Sequence, residues 1–194
     1  MKKHHSPFFV LENIISPKQC EILASWGKNP KPANVIVTQR ITDFITQTLV
    51  KITPDIENHY STTISKYATV GMERITEGNF IQAHSENSKF SDNKWVRYNA
   101  NDLTCVLFLT DYQTNVPFDS NFEVYGGKLE FPQWGFGFNP QRGTLIVFPS
   151  DPHFINVTTK IQHGKLLQIR AHLTTATPFF YNSKQYSGSF KDWF

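Results

Sequence analysis

The spacing of apolar residues changes once along this chain, and that change constrains the fold more than any other feature. In the first third, Ile22, Leu23 and Trp26 recur at helical spacing, as do Ile41, Phe44, Ile45, Thr48 and Leu49. Ser16-Pro17-Lys18-Gln19 supplies a cap residue, a proline at the first helical position and a glutamine placed to close a capping box. The pattern predicts a helix from there to about Trp26, stopped by Gly27, Pro30 and Pro32, and a second over 38–52 ended by Pro54. From about Tyr67 onward the period becomes two. Strands are predicted over 67–74, 80–87, 103–110, 128–131, 136–139, 144–149, 154–159 and 165–174, with an edge strand over 8–11. That many short strands in so little chain predict a barrel or jelly roll, with the helices covering one outer face of the sheet.

Composition narrows the function classes. The 194 residues suit one core, and no linker or repeat divides them, so a single domain over 1–194 is expected, with helical support over about 1–65 and a barrel core over about 66–180. Charged residues are 18% of the chain, against roughly 25% in an average soluble protein, which argues against a long charged helix or coiled coil. A net charge of +3, with no run of like charges beyond the terminal Lys2-Lys3-His4-His5, argues against a nucleic-acid partner. Phe8-Phe9-Val10-Leu11 is too short for a signal-peptide core, and no apolar stretch is long enough to cross a membrane, so no membrane association and a cytoplasmic location are expected. Cys20 and Cys105 share no metal-binding spacing and read as reduced, buried thiols.

Among the seven histidines, only His84 stands two residues before a carboxylate, in His84-Ser85-Glu86. On a strand, positions i and i+2 share a face, so this pair would present an imidazole and a carboxylate side by side. Such a pair is two-thirds of a facial metal triad, which suits non-haem Fe(II) because three positions stay open. The same three residues would also serve as a surface histidine beside a solvated glutamate. The third ligand expected is His153, at the start of a predicted strand after Phe148-Pro149-Ser150, with His163 and His172 as rivals.

Arg74-Ile-Thr-Glu-Gly78-Asn-Phe80 leading to His84-Ser-Glu86, then Asp102-Leu-Thr-Cys-Val-Leu-Phe-Leu109, Tyr125-Gly-Gly-Lys-Leu-Glu-Phe131 and Gly143-Thr-Leu-Ile-Val-Phe-Pro-Ser150 with His153 form ordered blocks. Together they resemble the prolyl 4-hydroxylase-like 2-oxoglutarate/Fe(II) oxygenases over about residues 70–175. The resemblance implies a double-stranded β-helix with His84, Glu86 and His153 as iron ligands. It implies Fe(II) and 2-oxoglutarate as cofactors, with ascorbate as an auxiliary reductant. The activity implied is oxidative decarboxylation of 2-oxoglutarate, coupled through O2 to hydroxylation of a C–H bond in a prolyl or other peptide side chain.

The far carboxylate of 2-oxoglutarate would need a cation. Lys165 and Arg170 on the last predicted strand are the candidates, and their opposite parity allows only one to face the cavity. Lys165 lies closer to the family's spacing. Glu86 stands where most members carry Asp. The stretch 87–101, with Trp95, Arg97 and Tyr98, reads as a loop that contacts substrate. Two other readings of the same residues stay open: a jelly-roll binding or structural protein in which the three ligands never converge, and a cupin-like metalloenzyme that needs no oxoglutarate.

Overall fold

The computed structural model describes residues 6–26, 34–35, 37–117 and 121–179. The basic cluster at 2–5, the helix stop at Gly27, Pro30 and Pro32, and residues 180–194 lie outside these residues. In chain order the elements are β1 (Phe9–Leu11), α1 (Pro17–Trp26), β2 (Asn34–Val35), α2 (Gln39–Tyr60), β3 (Ile64–Thr76), β4 (Ile81–His84), β5 (Ser88–Ser91) and β6 (Lys94–Arg97). There follow β7 (Leu103–Phe108), β8 (Asp111–Tyr112), β9 (Glu123–Gly126), β10 (Leu129–Phe131), β11 (Phe136–Phe138), β12 (Leu145–Pro149), β13 (Asn156–Thr158) and β14 (Ile161–Thr175).

The expected mainly-β jelly roll is present. The larger sheet runs β1-β12-β7-β14-β3-β2, with β9 added to β14 and β8 to β9. The smaller sheet runs β11-β10-β13-β4, and β5 and β6 form a separate two-stranded ribbon. Period-two alternation divides the core in two. On β7, Leu103, Cys105 and Leu107 face the helices, where they join Leu23, Ile41, Ile45, Leu49 and Ile56. Val106 and Phe108 face the other way, into a phenylalanine-rich interior with Phe8, Phe131, Phe148 and Phe154. Aromatic edges meet faces there, as in Phe131 against Phe148 at 4.9 Å. Both cysteines are free and buried.

The α1 capping box forms as expected: Ser16 Oγ accepts from the Gln19 amide, and Gln19 Oε1 accepts from the Ser16 amide at 2.8 Å. The second helix differs from expectation, because it continues through Pro54 to Tyr60. Proline removes one amide donor, but the carbonyl it would have served belongs to the half-exposed Val50, and Thr53 Oγ1 donates to the neighbouring Leu49 carbonyl at 2.9 Å. What the extension gains is burial of Ile56 and Tyr60 on the face already set by Ile41, Ile45 and Leu49. Tyr60 Oη then lies 2.9 Å from the Pro7 carbonyl and 2.8 Å from that of Val147.

Three further expectations are corrected. The strand expected over 80–87 ends at His84, so Glu86 sits in the turn that follows. The strand expected from 154 begins at Asn156, which leaves His153 in a short 3-10 turn, Pro152–Phe154. The stretch 87–101 is no plain loop, since Phe90↔Trp95 and Lys89↔Val96 pair in the β5–β6 ribbon around Asp92-Asn93, both in left-handed conformation.

Candidate functional site

β4, β13 and β14 converge where the smaller sheet meets the larger, and the even positions of β14 point into the interior. Leu166 lies in its apolar part; Gln168, Arg170 and His172 follow at its polar end. Register places Asn156 directly opposite His84. Glu86, only 6% exposed, is reached by all of these elements.

Both Glu86 oxygens are occupied. Oε1 accepts from Arg170 Nη1, from Asn156 Nδ2 at 3.1 Å, and lies 3.2 Å from His84 Nε2. Oε2 lies 3.2 Å from His172 Nε2. Burial by itself would raise the Glu86 carboxyl, yet the Arg170 charge and the two histidine contacts hold it well below the ordinary range. Arg170 is buried as well, and its Nε lies 3.5 Å from Glu73 Oε1, so one guanidinium is flanked by two carboxylates. Burial opposes that charge, and Glu86 and Glu73 outweigh it, raising the Arg170 pKa.

His84 is fixed by its other nitrogen, which lies 2.8 Å from the Gln82 carbonyl and must therefore carry a hydrogen. Nε2 then faces a carboxylate oxygen, an arrangement that favours the protonated imidazole. Burial lowers the His84 pKa, but the Glu86 hydrogen bond and charge dominate and raise it. A shell of hydrogen bonds holds the Glu86 turn in place. Ser85 Oγ and the Asn87 amide donate to the Ser150 carbonyl, and Tyr98 Oη and Asn99 Nδ2 donate to the Glu86 carbonyl.

The structure therefore brings His84 and Glu86 together, although by a turn and not by strand alternation. It does not bring His153 to them. The His153 side chain is 65% exposed, with Nδ1 2.8 Å from Asp151 Oδ1. Of the rivals, His163 lies 3.5 Å from Glu77, whereas His172 touches Glu86. Only one of the two basic candidates faces the interior, and it is Arg170. Lys165 Nζ donates to Asn121 at 2.7 Å on the partly exposed side, where burial and the neighbouring Arg74 lower its pKa. Trp95 and Arg97 line a groove of about 250 Å³ together with Ser88, Asp151, His153 and Phe179. Tyr98 lies beyond it, under Lys89.

Sequence spacing does not single out Asn156 or the pairing of Arg170 with Glu86. The signal available was the alternation Leu166, Gln168, Arg170, His172, which places the arginine and the histidine on one face of β14.

No family model matches the chain, and no curated protein does. Solved structures do match. A viral collagen prolyl hydroxylase from Paramecium bursaria chlorella virus 1, in complex with 2-oxoglutarate, aligns with TM-score 0.65 at 14% identity over 91% of this chain and 100% of its own. A Pseudomonas putida prolyl 4-hydroxylase aligns with TM-score 0.61 at 14% identity over 89% of this chain and 94% of its own. A Trichoplax adhaerens prolyl hydroxylase, in complex with a hypoxia-inducible-factor peptide, aligns with TM-score 0.59 at 11% identity over 94% of this chain and 86% of its own.

The sequence resemblance implies Fe(II), so the donor set can be tested against a divalent ion. The separation of His84 Nε2 and Glu86 Oε1 is near the ~3 Å expected of two adjacent ligands each about 2.1 Å from a metal. The rest does not fit. Glu86 already carries a guanidinium, whose charge would repel a second cation in a buried setting. Among the described residues, no group of three His, Cys, Asp or Glu side chains could hold a metal ion. Arg170 lies between the Glu86 and Glu73 carboxylates, while its Nη2 has no hydrogen-bond partner among the described residues. The chain thus has the jelly-roll fold of the 2-oxoglutarate/Fe(II) oxygenases around a centre built as an internal ion pair.

Proposed function

We propose that this protein is a binding barrel of the oxygenase fold, in which the Glu86–Arg170 pair is an internal pillar and the ligand lies in the adjoining groove. The observation that carries this reading is the saturation of Glu86 by four nitrogen donors from β4, β13 and β14, one of them a permanent cation. A carboxylate so engaged is a poor metal ligand.

The ligand class that suits the groove is an extended peptide. The β5–β6 ribbon pairs with no other strand among the described residues, and it exposes Phe90, Trp95 and Val96 beside the groove. An unpaired ribbon edge with aromatic side chains favours main-chain pairing with a bound segment. The exposed Lys89 and Lys94 on the same ribbon favour acidic sequence.

A second reading has its own support. The fold, the His84–Glu86 separation and the orientation of His84 by the Gln82 carbonyl are what a 2-oxoglutarate/Fe(II) dioxygenase would use. On that reading His84, Glu86 and His153 would be the iron ligands, with Lys165 or Arg170 on the cosubstrate, O2 as co-reactant and ascorbate as auxiliary reductant. The substrate would be a prolyl or other peptide side chain, and Trp95, Arg97 and Tyr98 would contact it.

A peptide-array screen, run in EDTA and again with Fe(II), 2-oxoglutarate and ascorbate, separates the two. The binding reading expects peptides retained equally in both buffers, lost in Trp95→Ala, with no mass gain and no succinate. Peptides that gain 16 Da with stoichiometric succinate would replace it with the dioxygenase reading.

A further inference from the structure

We infer that Arg97 is the specificity-determining residue of the groove, and that the peptide it selects carries an apolar and an acidic residue two positions apart, set against Trp95 and Arg97. This role rests on the binding reading above and names the sequence pattern that the groove would take.

The hydrogen-bond phase of the ribbon decides which of its residues meet a ligand. The Tyr98 amide donates to the Asn87 carbonyl at 2.9 Å, one position beyond the Ser88↔Arg97 pair. Hydrogen-bonded and non-hydrogen-bonded pairs alternate in an antiparallel ladder, so Trp95 and Arg97 hold the positions of β6 whose main-chain groups turn outward. Among the described residues β6 pairs with β5 alone, which leaves that edge open. The side chains of Trp95 and Arg97 share one ribbon face with Ser88 and Phe90, and Trp95, Arg97 and Ser88 line the groove. A strand added to this edge would set alternate side chains opposite Trp95 and Arg97.

Arg97 is built as an anchor. Its Nε donates to the Asn99 carbonyl at 2.7 Å, and its Nη2 donates to the Asn101 carbonyl at 3.3 Å and to Asp102 Oδ1 at 2.8 Å. These bonds fix the planar head, so little freedom is left to lose on binding. Nη1 has no hydrogen-bond partner among the described residues, and the side chain is 32% exposed. The nearby carboxylates are already engaged. Asp102 is buried and also accepts from the Thr175 amide and hydroxyl and from the Phe179 amide. Asp151 Oδ1 meets the His153 amide and ring nitrogen, and its Oδ2 is buried. Lys89 and Lys94 lie on the opposite ribbon face, opposite Val96 and Ser91, and add attraction at a distance without reading position.

Fluorescein-labelled Thr/Val peptides carrying one Phe and one Asp would be titrated against the full chain by anisotropy. The Asp is placed one, two or three positions from the Phe, on either side, with Asn as its control. At a spacing of two, in one of the two orders, Asp is expected to bind about tenfold more tightly than Asn, and at one or three by less than about twofold. Arg97→Gln should lose the preference, and Arg97→Glu should turn it toward Lys at the same spacing. Lys89→Gln with Lys94→Gln should keep it.

Binding that ignores the Asp, or a preference that Arg97→Gln leaves intact, overturns the inference while the binding reading stands. A preference removed by the two lysine changes places the contact on the other ribbon face and overturns it as well. If the wild type binds none of the series the inference falls, and retention of any peptide in the array screen then decides the binding reading separately. Should an Arg97 variant fail to fold, as judged by circular dichroism, the spacing series on the wild type decides alone, because a purely structural Arg97 predicts no dependence on where the Asp stands.

Discussion

Asn156 faces His84 across the β13–β4 pair, and its side-chain amide donates to the same Glu86 oxygen that His84 approaches. Its carbonyl lies 3.3 Å from Arg170 Nη1, so one neutral side chain links the carboxylate to its cation. Asn156→Leu strands both groups while keeping similar bulk, and it should cost about 1–3 kcal/mol in urea unfolding. A neutral outcome would remove Asn156 from the network.

The Glu86–Arg170 pair should behave as a unit. Glu86→Ala and Arg170→Ala each leave an uncompensated buried charge and should each cost about 3–5 kcal/mol. Glu86→Leu combined with Arg170→Met should recover much of that loss, giving a large favourable coupling in a double-mutant cycle. Simple additivity would contradict the account.

The pH dependence has two arms of opposite origin. The Glu86 pKa is depressed in the folded protein, so its stabilisation is complete above the unfolded value near 4.5 and is lost as pH falls below it. The His84 pKa is raised above its ordinary 6.5, so its stabilisation is complete below 6.5 and fades as pH rises through the folded value. Thermal unfolding across pH should show Tm falling on both sides of that plateau. His84→Gln should flatten the alkaline arm alone, and Glu86→Gln should flatten both.

Gly126 tests the close approach of β9 to the start of β14. Its φ is +90°, and a Cβ there would lie 2.2 Å from the Lys160 carbonyl oxygen, on the backbone just before β14. Gly126→Ala should lower stability by about 1–3 kcal/mol, or displace β9 from β14, as seen in amide exchange of Tyr125 and His163. Unchanged exchange and stability would show that this approach is looser than described.

The groove and the pillar should be separable. Trp95→Ala lies on the exposed ribbon and should leave the unfolding free energy within about 0.5 kcal/mol of wild type while abolishing peptide retention. Loss of stability comparable to that of the Glu86 variants would instead make the ribbon part of the fold.

The change from helical to period-two spacing was sufficient to foresee the jelly roll and its outer helices, because one face of each strand and helix must be apolar. Pro54 reads as a helix end, but its local cost is small beside the burial of Ile56 and Tyr60, which lie beyond it in sequence. Strand alternation predicts that His84 and Glu86 lie side by side. They meet, but through a turn whose shape depends on Ser150 and Tyr98, 65 residues after Ser85 and 12 after Glu86. The position after Phe148-Pro149-Ser150 points to His153, but the strand starts three residues later and the His153 side chain is exposed. The β13 start at Asn156 is set by pairing with β4, which local sequence does not display. Strand parity separates Lys165 from Arg170: Arg170 shares the interior face of β14 with Leu166, whereas Lys165 reaches Asn121.

Anaerobic addition of Fe(II) and then 2-oxoglutarate to the wild-type protein, followed by visible absorption, addresses the centre most directly. With Glu86 held by Arg170, no metal-to-ligand charge-transfer band should develop, and the spectrum should match that of His84→Ala under the same conditions. A band that grows to one equivalent of iron and disappears in His84→Ala would contradict the ion-pair centre and establish an iron site in its place.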